Sequence, residues 1–177
     1  SSLGQIAAIK RTLFDQEERS DHILRLLKAS KVLIESGHLF TDQELYHNFC
    51  QFLCRIKSTY QLQEIVSTIF YQEWLESLVQ FSLNSFDNLN FSNNSLHYLL
   101  LFWQKIACSC PYVRSGISHE LDKYAAAITI SFIKSRLMLL EREYHFENNS
   151  PVSDQIGSIF EMNFDKLDEQ LEAICSL

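Results

Sequence analysis

The chain has 177 residues, 46% of them hydrophobic, enough to bury a core, and only four glycines and two prolines, too few for a turn-rich all-β fold. Its net charge is −7, and all of it sits at one end: from Glu141 onward there are nine acids and two bases, while the preceding residues balance. A neutral body with an acidic end argues against nucleic acid as the main partner, and no apolar run approaches the ~18 residues of a membrane span.

The elements read as helices throughout. Leu3 to Phe14 looks like the tail of a helix, with Ile6, Ile9 and Leu13 on one face. Asp15, followed three residues on by Glu18, forms a capping-box start. The helix it opens runs to about Ser36, with Ile23, Leu26, Leu27, Leu33 and Ile34 inward, and Gly37 is placed to end it. Thr41 or Asp42 opens a second helix to about Lys57, with the stripe Leu45, Phe49, Phe52, Leu53 and Ile56. Tyr60 to Val66 is a short helix or turn. Glu73 to Phe86 is amphipathic through Trp74, Leu75, Leu78, Phe81 and Leu83, and the Asn-rich stretch Phe86 to Asn94 reads as a loop.

The stretch Asn94 to Arg114 is apolar nearly all round in its first turns and is expected to be the packed centre. Asn94 or Ser95 caps it, Trp103 is buried within it, Pro111 stops it, and Tyr112 and Val113 pack after the stop. Ser118 to Glu143 reads as one long helix with Leu121, Ala125, Ile128, Phe132 and Leu139 along one side. His145 to Pro151 is a loop, and helices over Val152 to Met162 and Asn163 to Ser176 close the chain.

The first helices of successive pairs start near Asp15, Glu73 and Ser118, a period of 45 to 58 residues. That is at or above the roughly 40–47 residues of HEAT-type repeats. The fold class this implies is all-α, an alpha-solenoid of antiparallel helix pairs covering residues 1–177 as one segment without separate domains. Several helices are apolar on more than one side, as stacked repeats require. Both ends then carry apolar residues without obvious cover: Leu3, Ile6 and Ile9 at one, Leu171, Ile174 and Leu177 at the other. The chain begins at Ser1 without Met, and an excerpt from a longer chain is expected.

No chemistry announces itself. His47, Cys50 and Cys54 align on one helix face, and Cys108 or Cys110 would be needed to complete a zinc set. The spacing matches no CxxC pattern, and buried thiols beside a half-buried histidine account for it better. A Cys–His nucleophile pair from the same residues lacks a third orienting group. No dinucleotide, phosphate-loop, zinc-protease or serine-hydrolase motif is present. Five cysteines, an odd number without framework spacing, read as reduced thiols of an intracellular protein. The expectation is an interaction module with no catalytic residue and no bound metal or cofactor.

Four collinear blocks carry a resemblance to the exportin-7 family of the importin-beta superfamily. The first is Ile9 to Phe14 with Glu18-Arg19. The second is Tyr46 to Cys50, Leu53, Arg55, Lys57-Ser58, Tyr60 to Leu62 and Glu64 to Val66. The third is Asn94 to Leu100, Trp103 to Lys105 and Pro111 to Arg114. The fourth is Tyr124 with Ser135 to Leu137. The resemblance implies a right-handed superhelix of HEAT repeats in a nuclear export receptor that shuttles between nucleus and cytoplasm. Its implied partners are Ran-GTP, protein cargo and nuclear pore proteins, without nucleic acid or membrane, and the GTP belongs to Ran. A general helical scaffold for protein–protein interaction is the alternative, since a fold does not fix a function.

One candidate interaction surface follows from charge. Phe164, Leu167, Leu171 and Ile174 form one apolar stripe, while Asp165, Asp168, Glu169 and Glu172 repeat on another face of the same helix. Such an acidic face is either solvated or attracts a basic partner.

Overall fold

Local chemistry sets where the helices begin in this computed structural model, which describes residues 15–149 and 174–175, with side chains through 141 and at 174–175. Asp15 accepts the Glu18 amide at 2.9 Å and Glu18 accepts the Asp15 amide at 3.3 Å, closing a capping box at the start of α1, Gln16–Glu35. Gly37 follows it at φ +72°, the left-handed conformation that ends helices. Asp42 accepts the amides of Glu44 and Leu45 and starts α2, Gln43–Thr59. A second capping box, Gln61 with Glu64, starts the short α3, Leu62–Val66. Then come α4, Tyr71–Asp87, the single turn α5, Leu89–Ser92, and α6, Leu96–Ala107. The last long helix is α7, Ala125–Asn149.

The long helices alternate between two layers. In one, α1 packs on α4 and α4 on α7; in the other, α2 packs on α6. His22 near the start of α1 meets Tyr60 just past the end of α2, so these two run antiparallel as a pair. Like helices stack in parallel, and the hydrogen bonds between them record the register. Ser30–Trp74, His47–Ser95, Gln51–Tyr98 and Ser58–Lys105 are separated by 44 to 48 residues. A constant offset of that size is the length of one HEAT-type repeat. The described residues contain no strand, and none of their helices is long and apolar enough to cross a membrane.

The core lies between the layers, and α4 touches every other long helix. Its Phe81 meets Phe40, Tyr46 and Phe49 at ring distances of 5.6, 5.5 and 5.3 Å. Trp74 meets Phe102 of α6 at 6.2 Å and Phe86 meets Phe132 of α7 at 5.7 Å, both edge-on, the arrangement aromatic quadrupoles favour. Two indoles are satisfied in the same way. Trp74 donates to Ser30 Oγ of α1 at 2.7 Å, and Trp103 donates to Ser82 Oγ of α4 at 3.0 Å. Each serine in turn donates to a carbonyl of its own helix, Leu27 or Leu78. All four side chains are fully buried, so the expected burial of Trp103 is met.

Several boundaries differ from the sequence reading. Residues 86–94 are not a loop: α4 continues to Asp87, and α5 follows because Leu89 and Ser92 are buried, Ser92 donating to the Ser85 carbonyl. Ser95 stands before α6 but makes no cap; its hydroxyl faces His47 instead, 2.9 Å away. The α6 helix ends at Ala107, four residues short of Pro111, because proline offers no amide to that carbonyl. After it, Val113 packs against the core as expected, while Tyr112 is exposed.

The long helix expected from Ser118 starts only at Ala125. Glu120 sits at φ +57°, the Tyr71 hydroxyl takes the His119 carbonyl, and a 3-10 turn over Leu121–Lys123 buries Leu121 before the helix can begin. It then runs through 145–149, read as loop, since nothing breaks it before Pro151. The helices expected over 3–14 and 152–162, and all of 163–176 but residues 174 and 175, lie outside the described residues. Ile174 is helical and buried, against the expectation that it lacks cover.

Trp103→Ala should cost about 3–5 kcal/mol through the cavity it leaves. Ser82→Ala should cost about 1–3 kcal/mol, because it strands the indole N–H. Urea unfolding of both variants measures this, and an unchanged midpoint in either contradicts the assignment.

Candidate functional site

The acidic face of Asp165, Asp168, Glu169 and Glu172 lies outside the described residues. The polar features within them concentrate at the seam where α2 and α6 stack. At one end of the seam, Gln51 donates to His47 Nε2 at 2.9 Å, which leaves Nδ1 as the protonated nitrogen facing Ser95 Oγ at 2.9 Å. Gln51 also donates to the Tyr98 hydroxyl at 3.2 Å, and Tyr98 stands edge-on to the His47 ring at 5.4 Å. Both ring nitrogens are therefore engaged, and this end is a satisfied network.

The other end is cationic. Lys57 falls in register with Tyr46, Cys50 and Leu53 along the buried side of α2 and is only 8% exposed. Burial pulls its ammonium below the usual lysine range, and Lys105 beside it pulls the same way. Lys105 crosses the seam from α6 to donate to Ser58 Oγ at 2.7 Å and to reach Cys54 Sγ at 3.7 Å. Neither lysine was singled out by sequence reasoning as a site residue. The available signal was a cation on the apolar line of each helix.

The zinc candidates separate. Cys50 is fully buried, and burial pushes its thiol up to about 12. Cys110 is half-buried and pushed up to about 11, again by burial first and then by Asp122. Cys108 is exposed. Among the described residues no three His, Cys, Asp or Glu side chains gather where a metal could bind. The raised thiol pKa values of Cys50 and Cys110 leave those two poor nucleophiles.

Two grooves and one bare apolar face stand out among the described residues. A groove of about 470 Å³ lies between Phe86–Phe91 and the α7 residues Ser131, Lys134, Ser135, Met138 and Leu139. A second, of about 410 Å³, lies between α1 and α3 and includes the Arg19–Glu64 ion pair and Arg114. Along α7, Ile130, Ile133, Leu137 and Leu140 recur at helical spacing and are exposed, on the side away from the buried Ile128 and Phe132.

Like helices stacked at a repeat-length offset, with a bare apolar face on the last long helix described, define a segment of an alpha-solenoid, a class that presents extended binding surfaces. The sequence says which one. The chain is 36% identical to human Ran-binding protein 17 over all 177 residues, and 39% identical to exportin-7-B of Xenopus laevis over 137 residues, 77% of the chain. It is 36% identical to Ran-binding protein 16 of Drosophila melanogaster over 137 residues. The chain belongs to the exportin-7 family and spans 12–15% of the length of these curated relatives. No family profile matches it, and no solved structure matches it.

Lys57→Met keeps the apolar stem and removes the buried charge, so it should raise the melting temperature. The sign follows from the lowered lysine pKa: the penalty on the charged form is fully present below the folded-state pKa and vanishes as pH rises past 10.5. Thermal melts at pH 7 and near pH 10.5 should show a gain at the first and little at the second; a variant that melts lower at pH 7 refutes it.

Proposed function

We propose that the chain is part of a nuclear export receptor that carries protein cargo through the nuclear pore in a Ran-GTP-dependent manner, shuttling between nucleus and cytoplasm. The observation that carries this reading is similarity over all 177 residues to a protein named as Ran-binding and over 137 residues to proteins named as an exportin and as Ran-binding. Residues 1–177 form one stretch of the solenoid. The receptor works by binding and release rather than catalysis, and any GTP is held by Ran. Cargo and nuclear pore proteins are its other partners.

The test is a pull-down from the full polypeptide that contains this chain. Ran loaded with a non-hydrolysable GTP analogue should be retained, and Ran loaded with GDP should not. Equal retention of the two forms, or none of either, overturns the reading in favour of a general helical scaffold.

The acidic face of Asp165, Asp168, Glu169 and Glu172 serves, in this reading, to attract a basic surface of Ran or cargo. Its support is the concentration of the chain's net charge after residue 140. Reversing all four acids to Lys should slow association with the partner at low salt. The difference should shrink toward physiological ionic strength, where screening acts within about 8 Å. Equal association rates for the variant and the parent at low salt would leave a solvated face and nothing more.

A further inference from the structure

We propose that the bare apolar line of α7 is the seat of the next helix of the same polypeptide. That helix opens in the turn that holds Ile174 and runs parallel to α7, in the register already set by α1, α4 and α7. The inference rests on the stacked architecture and not on the export reading.

The helices of this layer differ in how many neighbours they have. The middle one, α4, is buried on two sides: Trp74 meets Ser30 of α1, and Phe86 meets Phe132 of α7. Through residue 141, α7 buries one line, Ile128, Phe132 and Ser135. Its other line, Ile130, Ile133, Leu137 and Leu140, is 36% to 55% exposed. That line carries no charge along about 15 Å of helix. Its spacing of three, four and three residues is the seam that a second helix fills. The side that α4 covers with a neighbour is therefore prepared on α7 in the same way, by apolar residues at helical spacing.

The register says which helix belongs there. Contacts within this layer join residues 42 to 46 apart: Lys31 with Glu73, Ser30 with Trp74, and Phe86 with Phe132. Ile174 is helical, buried and part of the common core, and it stands 46 residues after Ile128 and 44 after Ile130. It falls where the first turn of a fourth helix in this layer belongs. Carried on at 44, the register sets Leu177 opposite Ile133 and calls for apolar residues 44 after Leu137 and 44 after Leu140. The curated relatives have ample length for such a helix, since the chain spans 12–15% of them.

Cysteine labelling in the full polypeptide that contains this chain, followed site by site by mass spectrometry, tests the cover. Ile133→Cys and Leu137→Cys should react with a maleimide about tenfold more slowly than Gln80→Cys. Gln80 is exposed on α4, which already has both neighbours. Equal rates overturn the proposal and leave the line free for another protein. Protection that fades on dilution overturns it in favour of a second copy. The direction is read separately through the exposed natural thiol of Cys175. A short bis-maleimide should join it to Ile130→Cys and not to Leu140→Cys, about 15 Å further along α7. A preference for Leu140→Cys, or no cross-link to either, overturns the parallel register.

Discussion

The structure depends on a constraint that tryptophan imposes on any core it enters: a large apolar body arrives with one N–H that must find an acceptor. Trp74 and Trp103 both solve it with a buried serine on a neighbouring helix. Serine is small enough to let two helices approach, and its hydroxyl accepts from the indole while donating to its own helix. The arrangement tolerates no slip, because a shift of one residue rotates a helical side chain by about 100° and strands both groups. Trp74 thereby fixes α4 against α1, and Trp103 fixes α6 against α4. Two hydrogen bonds thus lock the register within a layer and between layers.

Repetition follows from that register. When α4 stands beside α1 at an offset of 44 residues and α6 beside α2 at 47 or 48, each helix pair presents to the next the surface the previous pair presented to it. Such a stack has no intrinsic end, and its stability is a sum of intrinsic and neighbour terms. The bare apolar line of α7, Ile130, Ile133, Leu137 and Leu140, is the visible consequence. The same logic explains the absence of a recognisable catalytic constellation among the described residues: their polar side chains mostly satisfy one another or the backbone.

The seam of α2 and α6 departs from this economy at one end. Around His47 every donor meets an acceptor, and the network reads as register-setting. Around Lys57, nearly three helical turns further on, the same pair of helices sets Lys105 beside the first lysine. One interface thus joins a satisfied polar network at one end to two neighbouring cations at the other.

What the sequence determined by itself is the set of local decisions. The capping boxes, the glycine stop at Gly37, the stripes of α1, α2 and α4 and the burial of Trp103 follow from rules that act within a few residues, and they were legible. The collinear blocks were legible too, because a family resemblance is a property of the chain and not of its folding. The tertiary structure decided everything that needed a second element. Residues 86–94 are polar enough to read as loop, yet Leu89 and Ser92 are drawn into the core as a helical turn. Ser95 had the chemistry of a cap, but His47, 48 residues away, claimed its hydroxyl. The start of α7 moved to Ala125 because Tyr71 holds the His119 carbonyl. Lys57 was not singled out in the sequence, and only the packing of α6 on α2 sets Lys105 beside it. Partners separated by a whole repeat leave no local trace, so only the packed structure could assign them.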